Sequence, residues 1–113
     1  MRVLIVDDNL ALAENLGELL EDEGHQIRVA AGPGGAMEVA DTPLDFALVD
    51  ICLDGADGVH LAEALKRRWP ELRLALMTAY TSQARRREAE GLSIGPILPK
   101  PVPLDVLVGL LRP

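Results

Sequence analysis

Five short apolar runs recur along the chain, separated by longer segments that mix apolar and polar residues. They span residues 3–6, 27–30, 46–49, 72–77 and 94–98. Several are almost continuously apolar, a pattern typical of strands whose two faces are both covered by helices. The pattern therefore predicts five buried β-strands.

Helical periodicity marks the segments between these runs. Three segments carry an apolar stripe at helical spacing, formed by Leu12, Leu16, Leu19 and Leu20, by Leu61, Ala62, Leu65 and Trp69, and by Leu104, Leu107, Val108 and Leu111. Gly24 and Pro70 follow the first two stripes and are residue types that end helices. Residues 34–40 and 82–90 predict two weaker helices, and residues 32–35 predict the turn that leads into the first of these.

The order of the predicted elements indicates the fold class. Strand and helix alternate five times, which implies a parallel sheet with right-handed crossovers and helices on both faces. We therefore expect an α/β fold with a single doubly wound, five-stranded sheet of the (βα)5 type. A chain of 113 residues without repeats or linkers suits one domain, residues 1–113.

Composition excludes several classes of protein. Hydrophobic residues make up 49% of the chain, so a core can form without disulfides, and the single cysteine, Cys52, fits a reducing compartment. The apolar runs are too short for a signal peptide or for the roughly twenty residues that span a bilayer, so we expect a cytoplasmic protein without a membrane partner. The net charge of -7 argues against direct nucleic-acid binding.

Polar residues stand where four of the predicted strands end. Asp7 and Asp8 follow the first strand, Asp50 the third, Thr78 the fourth and Lys100 the fifth. Carboxyl ends of parallel strands share one edge of the sheet, so these five side chains should converge there. Three adjacent carboxylates repel one another, and Mg²⁺ with oxygen ligands would relieve this repulsion. The lysine and the threonine hydroxyl could then hold a phosphoryl group against a carboxylate nucleophile.

The same residues give the chain its resemblance to the response-regulator receiver domains of two-component signalling, which have a flavodoxin-like fold. The matching strings are Val6-Asp7-Asp8-Asn9, Leu48-Val49-Asp50, Asp57-Gly58, Met77-Thr78-Ala79 and Pro99-Lys100-Pro101. Each string is weak alone, but their order and spacing agree with the family over essentially the whole chain. The resemblance implies one receiver domain, residues 1–113.

The resemblance also implies a role for each matching residue. Asp50 would be the phosphoacceptor, Thr78 the switch hydroxyl and Lys100 the cation that pairs with the phosphate. The bond from this lysine to Pro101 is often cis in the family, and proline is the residue at which a cis bond costs little.

The family's metal site would also be carried over to this chain. Asp7 and Asp8 would be the Mg²⁺ acids, joined by Asp50 and by the backbone carbonyl of Cys52. The receiver would take its phosphoryl group from a histidine kinase or histidine phosphotransfer protein and act on an output domain or downstream protein. It would be no enzyme in the usual sense, although it would catalyse its own phosphorylation and dephosphorylation. A homodimer stays open, and the short final helix favours a piece of a longer protein.

Two other functional classes are alternatives to this interpretation. An aspartyl-phosphate hydrolase of the haloacid dehalogenase type also uses a strand-end aspartate and Mg²⁺, but it needs a second acid two residues later, where Cys52 stands. A receiver that binds partners without phosphorylation predicts a missing site residue, and none is missing.

Two positions depart from the family pattern. Ile97 replaces an aromatic residue three positions before the lysine, and Asp54 replaces a proline four positions after the phosphoacceptor. The isoleucine cannot present a rotating ring to a partner, so we expect Tyr80 and the start of the next helix to carry the conformational change. Residues 85–87, three arginines, are interpreted as a solvated helix face, with partner docking as the alternative.

Overall fold

The structure is a computed structural model that describes residues 1–53, 55–79, 91 and 94–112. Its strands are, in chain order, β1 (Arg2–Val6), β2 (Gln26–Ala30), β3 (Phe46–Asp50), β4 (Cys52–Leu53), β5 (Ala56–Asp57), β6 (Arg73–Thr78) and β7 (Ile97–Pro99). Its helices are α1 (Leu10–Asp22), α2 (Pro33–Val39), α3 (Gly58–Arg68) and α4 (Leu104–Leu110).

Five strands form a parallel sheet in the order β2-β1-β3-β6-β7. The short strands β4 and β5 form a separate antiparallel ribbon between β3 and α3. The predicted α/β fold with a doubly wound five-stranded sheet is confirmed. Because the chain passes from β1 outward to β2 and then returns to β3, the strand order reverses between β1 and β3, where ligands of such sheets bind.

The core has two halves, one on each face of the sheet. Leu4 and Val6 of β1 face a cluster that includes side chains of α2 and α3, whereas Val3 and Ile5 face a cluster with α1 and α4. This alternation follows from the two-residue period of a strand. Because both faces are covered, successive residues of a strand can all be buried, which explains why the predicted strands are almost continuously apolar. None of the helices in the described ranges is long and apolar enough to cross a bilayer.

The predicted apolar stripe of α1 is only half right. Leu20 is buried and Leu16 is partly buried, but Leu12 and Leu19 are 43% and 46% exposed. The helix contacts β2 through Gly17 instead, where an added Cβ would lie 3.0 Å from Cγ2 of Ile27. This close approach rotates the helix, so that two of its leucines remain at the surface.

Several element boundaries differ from those predicted. Helix α2 begins at Pro33, so part of the predicted turn forms its first turn, and β7 begins at Ile97 rather than at residue 94. Tyr80, Asp54 and the predicted helix over residues 82–90, with its three arginines, lie outside the described residues.

Side-chain hydrogen bonds attach the C-terminal ends of α3 and α4 to neighbouring parts of the chain. The indole N–H of Trp69, which caps α3, donates to the carbonyl of Ala40 at 2.7 Å. The guanidinium of Arg73 donates to the carbonyls of Leu110 and Arg112 at the end of α4. The stripe predicted for α4 is consistent with this placement, because Leu107 is buried.

Candidate functional site

The buried polar and charged residues of the described chain are Asp7, Asp50 and Thr78, which are 2%, 4% and 3% exposed. Asp7 follows β1, whereas Asp50 and Thr78 are the last residues of β3 and β6. The structure therefore brings them to the carboxyl edge of the sheet, beside the point where the strand order reverses. Buried carboxylates are rare unless they are paired or functional.

Lys100 lies between the two buried carboxylates. Its Nζ donates to Oδ2 of Asp50 at 2.8 Å and to Oδ2 of Asp7 at 2.9 Å. The backbone N–H of Lys100 donates to the carbonyl of Thr78 at 2.9 Å, and the following bond to Pro101 is cis. Pairing between β6 and β7 thus delivers the lysine to the site.

The second oxygen of each buried carboxylate is fixed by the backbone. Oδ1 of Asp50 accepts the N–H of Cys52 at 3.0 Å, and Oδ1 of Asp7 accepts the N–H of Asn9 at 3.0 Å. Each carboxylate therefore has one oxygen held by a residue two positions later and one directed at the lysine. These two contacts leave each carboxylate little freedom to change its orientation.

Burial and charge act against each other on these groups. Burial raises the pKa of Asp50, as does the charge of Asp7, whereas Lys100 and the N–H of Cys52 lower it; the net direction is upward. Burial alone would lower the pKa of Lys100, but its hydrogen bonds to both carboxylates outweigh this and raise it. The lysine is therefore cationic at neutral pH.

The acidic residues also form a group that could hold a metal ion. Asp7, Asp8 and Asp50 each offer an oxygen, and these atoms lie within 4.8 Å of one another. Asp8 is exposed, so the group opens to solvent on one side. Three carboxylates and one ammonium leave two negative charges in excess, which one hard dication with oxygen ligands would neutralise. The role predicted for the carbonyl of Cys52 stays a prediction.

Gly58, the second residue of the matching string Asp57-Gly58, lies against the backbone of the site. A Cβ at this position would overlap the backbone carbonyl of Asp50, and the N–H of Gly58 donates to the carbonyl of Ile51 at 2.9 Å. The preceding residue, Asp57, caps α3 by accepting the N–H of Val59 at 2.9 Å. Helix α3 therefore begins directly against the backbone of β3's last residue.

The remaining predicted positions occupy the same edge or its border. The hydroxyl of Thr78 donates to the carbonyl of Ala79 at 3.1 Å. Ile97 pairs with Leu76 in the sheet and packs, partly buried, against the core on the α2 and α3 face. An aliphatic side chain thus stands where the family pattern has an aromatic one.

Known proteins match this chain over nearly its whole length. The family model for the response regulator receiver domain matches residues 3–112. A response regulator receiver protein of Anaeromyxobacter sp. is 33% identical over 110 residues, which cover 96% of this chain and 46% of that protein. The sensor protein TorS of Escherichia coli is 33% identical over 113 residues, which cover 98% of this chain and 12% of that protein.

A solved structure extends the similarity to three dimensions. The crystal structure of a response regulator protein from Burkholderia pseudomallei, with a phosphorylated aspartic acid, calcium ion and citrate, matches with a TM-score of 0.88 at 28% identity. The match covers 98% of this chain and 66% of that one. The chain therefore belongs to the response regulator receiver domain family of two-component systems. It spans less than half the length of the two curated relatives named above.

Proposed function

We propose that Asp50 accepts a phosphoryl group, with Mg²⁺ bound, from a histidine kinase or histidine phosphotransfer protein. One observation carries this proposal: the carboxylate of Asp50 is buried, and one of its oxygens lies 2.8 Å from the ammonium of Lys100. Burial of this carboxylate without such a partner would be costly.

Phosphoryl transfer uses the carboxylate as a nucleophile. An oxygen of Asp50 forms a bond to phosphorus as the bond from phosphorus to the donor's imidazole nitrogen breaks, and the nitrogen keeps the electron pair. The product is an acyl phosphate. The backbone N–H of Cys52 holds the carboxylate in orientation, and the ammonium of Lys100 pairs with phosphoryl oxygens, so that positioning and charge neutralisation lower the barrier.

The metal would be held by Asp7, Asp8, Asp50 and the carbonyl of Cys52. When bound, Mg²⁺ would neutralise charge on the phosphoryl oxygens. The oxygen cluster within 4.8 Å and its excess negative charge support this assignment. So does the relative from Burkholderia pseudomallei, which contains a calcium ion and a phosphorylated aspartic acid.

The signal would leave the site through Thr78. Its hydroxyl, which donates to Ala79, would turn toward the phosphoryl group and pull the end of β6 with it. An output domain or a downstream protein would then bind the altered surface. Because Ile97 cannot supply a rotating ring, the segment after β6 that contains Tyr80 is the proposed route.

Labelling with a small acyl phosphate tests this function without a kinase. With Mg²⁺, the protein should gain one phosphoryl group that hydroxylamine removes, as measured by intact mass. Asp50→Asn should gain none, because an amide is a poor nucleophile toward phosphorus. Asp41→Asn, an exposed aspartate remote from the site, should label like the wild type. Equal labelling of Asp50→Asn would overturn the proposal.

A further inference from the structure

Five basic residues surround the amino end of β6, at the edge of the sheet opposite to the candidate site. They are Lys66, Arg67 and Arg68 in the last turn of α3, Arg73 at the start of β6, and Arg112 after α4. Hydrogen bonds from Lys66 to the carbonyl of Leu72 and from Arg73 to that of Arg112 hold these segments together. All five basic residues are exposed. We call this surface the basic patch.

The cations of the basic patch have no carboxylate partner. Within the described residues, none of the five forms an ion pair, although Glu63 and Glu71 belong to the same stretch of chain as α3. Basic residues in the last turn of a helix interact favourably with its dipole, but Arg73 and Arg112 lie outside α3. The side chains of Arg67 and Arg112 also donate no hydrogen bond in the described part of the chain. Their charges are therefore available to an anionic partner.

Two residues of the basic patch border a cavity of about 300 Å³. Lys66 and Arg73 line it together with six apolar residues, which are Phe46, Leu72, Leu74, Ile94, Pro96 and Leu110. Cavities of this size are at the lower end of the range for ligand sites, and this one has room for a single apolar side chain. The surface therefore combines several cations with one apolar recess, which fits a partner that is both anionic and apolar.

Nearby acids restrict the shape of such a partner. Asp45 and Glu71 line an adjacent cavity together with Arg73. A broad anionic surface, such as a membrane or a nucleic-acid duplex, would meet these carboxylates as well as the cations, and like charges repel. A single narrow segment of protein chain can contact the cations and avoid the two acids. The distribution of charge therefore favours an acidic protein segment over a broad anionic surface.

We propose that the basic patch binds an acidic segment of a partner protein, with one apolar side chain of that segment in the cavity. Carboxylates on either side of the apolar residue would meet Arg67 and Arg112. The patch lies at the edge of the sheet opposite to Asp50, so the bound segment would leave the proposed phosphorylation site accessible. This inference goes beyond the proposed function and does not depend on it.

Two synthetic peptides test the charge preference. They share one central leucine, and the residues around it are aspartate and glutamate in one peptide and lysine in the other. With ¹⁵N-labelled protein, the acidic peptide should shift amide signals of residues 66–74 and 109–112, and the lysine peptide should not. Replacing the leucine of the acidic peptide by serine should weaken binding at least fivefold. Absence of shifts, shifts confined to other residues, or equal binding of the serine peptide would overturn the proposal.

Two further measurements separate this partner from other occupants of the basic patch. Vesicles that contain phosphatidylserine should not sediment the protein, and the amides of residues 66–74 should not shift as the concentration of protein alone is raised. Sedimentation with vesicles would assign the patch to a membrane surface. Shifts with protein concentration would assign it to a second copy of the chain. Either result would overturn the proposal.

Matched charge reversals separate specific binding from general attraction. Arg67→Glu with Arg112→Glu should weaken binding of the acidic peptide at least tenfold. Arg2→Glu with Arg28→Glu is an equal charge change at exposed positions of β1 and β2, remote from β6 in the sheet, and should weaken binding far less. Equal losses in both pairs would mean non-specific attraction and would overturn the proposal.

Asp50→Asn keeps this inference separate from the proposed function. The variant should bind the acidic peptide like the wild type, and the variant with Arg67→Glu and Arg112→Glu should label normally with acyl phosphate. Loss of peptide binding in Asp50→Asn would place the peptide at the phosphorylation site and overturn the proposal. Failure of the wild type to label would instead count against the proposed function, and the peptide results would still decide the role of the basic patch.

Discussion

Gly58 lies so close to Asp50 that a methyl group on the glycine would overlap the backbone carbonyl of the aspartate. The contact joins the first turn of α3 to the end of β3, and the hydrogen bond from Gly58 to Ile51 reinforces it at 2.9 Å. The position of the Asp50 carboxylate therefore depends on a residue that carries no reactive group. Gly58 is a positioning residue for the proposed chemistry.

Gly58→Ala should slow acyl-phosphate labelling at least tenfold, because the helix or the Asp50 backbone must shift to admit the methyl group. Misplacement of a reacting group by about 1 Å can cost about a hundredfold in rate. Labelling rate and thermal unfolding should be measured together. Gly109→Ala in α4 is the control: its methyl group would meet nothing within 4 Å, so it should label normally and gain up to about 1 kcal/mol of stability. Normal labelling by Gly58→Ala would contradict the positioning role.

Lys100→Met should destabilise the metal-free protein, because it leaves two buried carboxylates without their shared cation. Breaking a buried pair costs about 3–5 kcal/mol. The lysine side chain is 21% exposed, so we expect a loss of about 1–3 kcal/mol in urea unfolding with EDTA. Asp50→Asn should recover part of this loss.

Lys66 provides a matched control for the double-mutant cycle of Lys100→Met and Asp50→Asn. Lys66 donates one hydrogen bond to the carbonyl of Leu72 at 2.6 Å, remote from the site. Lys66→Met should therefore cost only about 1 kcal/mol. Its cost should be the same with and without Asp50→Asn, whereas absence of coupling between Lys100 and Asp50 would contradict the observed geometry.

Replacement of either proposed Mg²⁺ ligand, Asp7 or Asp8, by alanine should weaken Mg²⁺ binding at least tenfold in calorimetry, since each offers an oxygen to the cluster. The two variants should differ in metal-free stability. Asp7→Ala loses hydrogen bonds to Asn9 and Lys100 and should be destabilised, whereas Asp8→Ala relieves repulsion at an exposed position and should not be. Asp41→Ala should leave both quantities unchanged. Unaltered Mg²⁺ affinity in the Asp7 and Asp8 variants would argue against the site.

Trp69 fluorescence should respond little to Mg²⁺ or to phosphorylation. The residue caps the far end of α3, and its indole N–H donates a hydrogen bond to the carbonyl of Ala40 at 2.7 Å. The guanidinium of Arg68 lies 4.6 Å from the ring centre. Arg68→Gln should change the emission directly, which shows that the probe is sensitive. Strong quenching of the wild type by Mg²⁺ would mean that α3 transmits the change along its length.

Sequence patterns predict best those features that depend only on element order. Asp7, Asp50, Thr78 and Lys100 share one edge because each ends or directly follows a strand of one parallel sheet, whatever the details of packing. The exposure of Leu12 could not be predicted in this way, since the rotation of α1 is set by how closely it approaches β2.

Close backbone contacts account for the other differences. The string Asp57-Gly58 was visible in the sequence, but the contact that requires the glycine forms only when α3 folds against β3. A similar close contact lies just before β7: a Cβ on Gly95 would overlap the backbone carbonyl of Leu74.

Chemical identification of the modified residue would show whether Asp50 is the phosphoacceptor. After labelling with acyl phosphate and Mg²⁺, borohydride reduction converts a phosphorylated aspartate to homoserine, which mass spectrometry of the peptides can locate. We expect homoserine at position 50 and at no other aspartate. Homoserine at Asp7, Asp8 or Asp54 with residue 50 unmodified would contradict it.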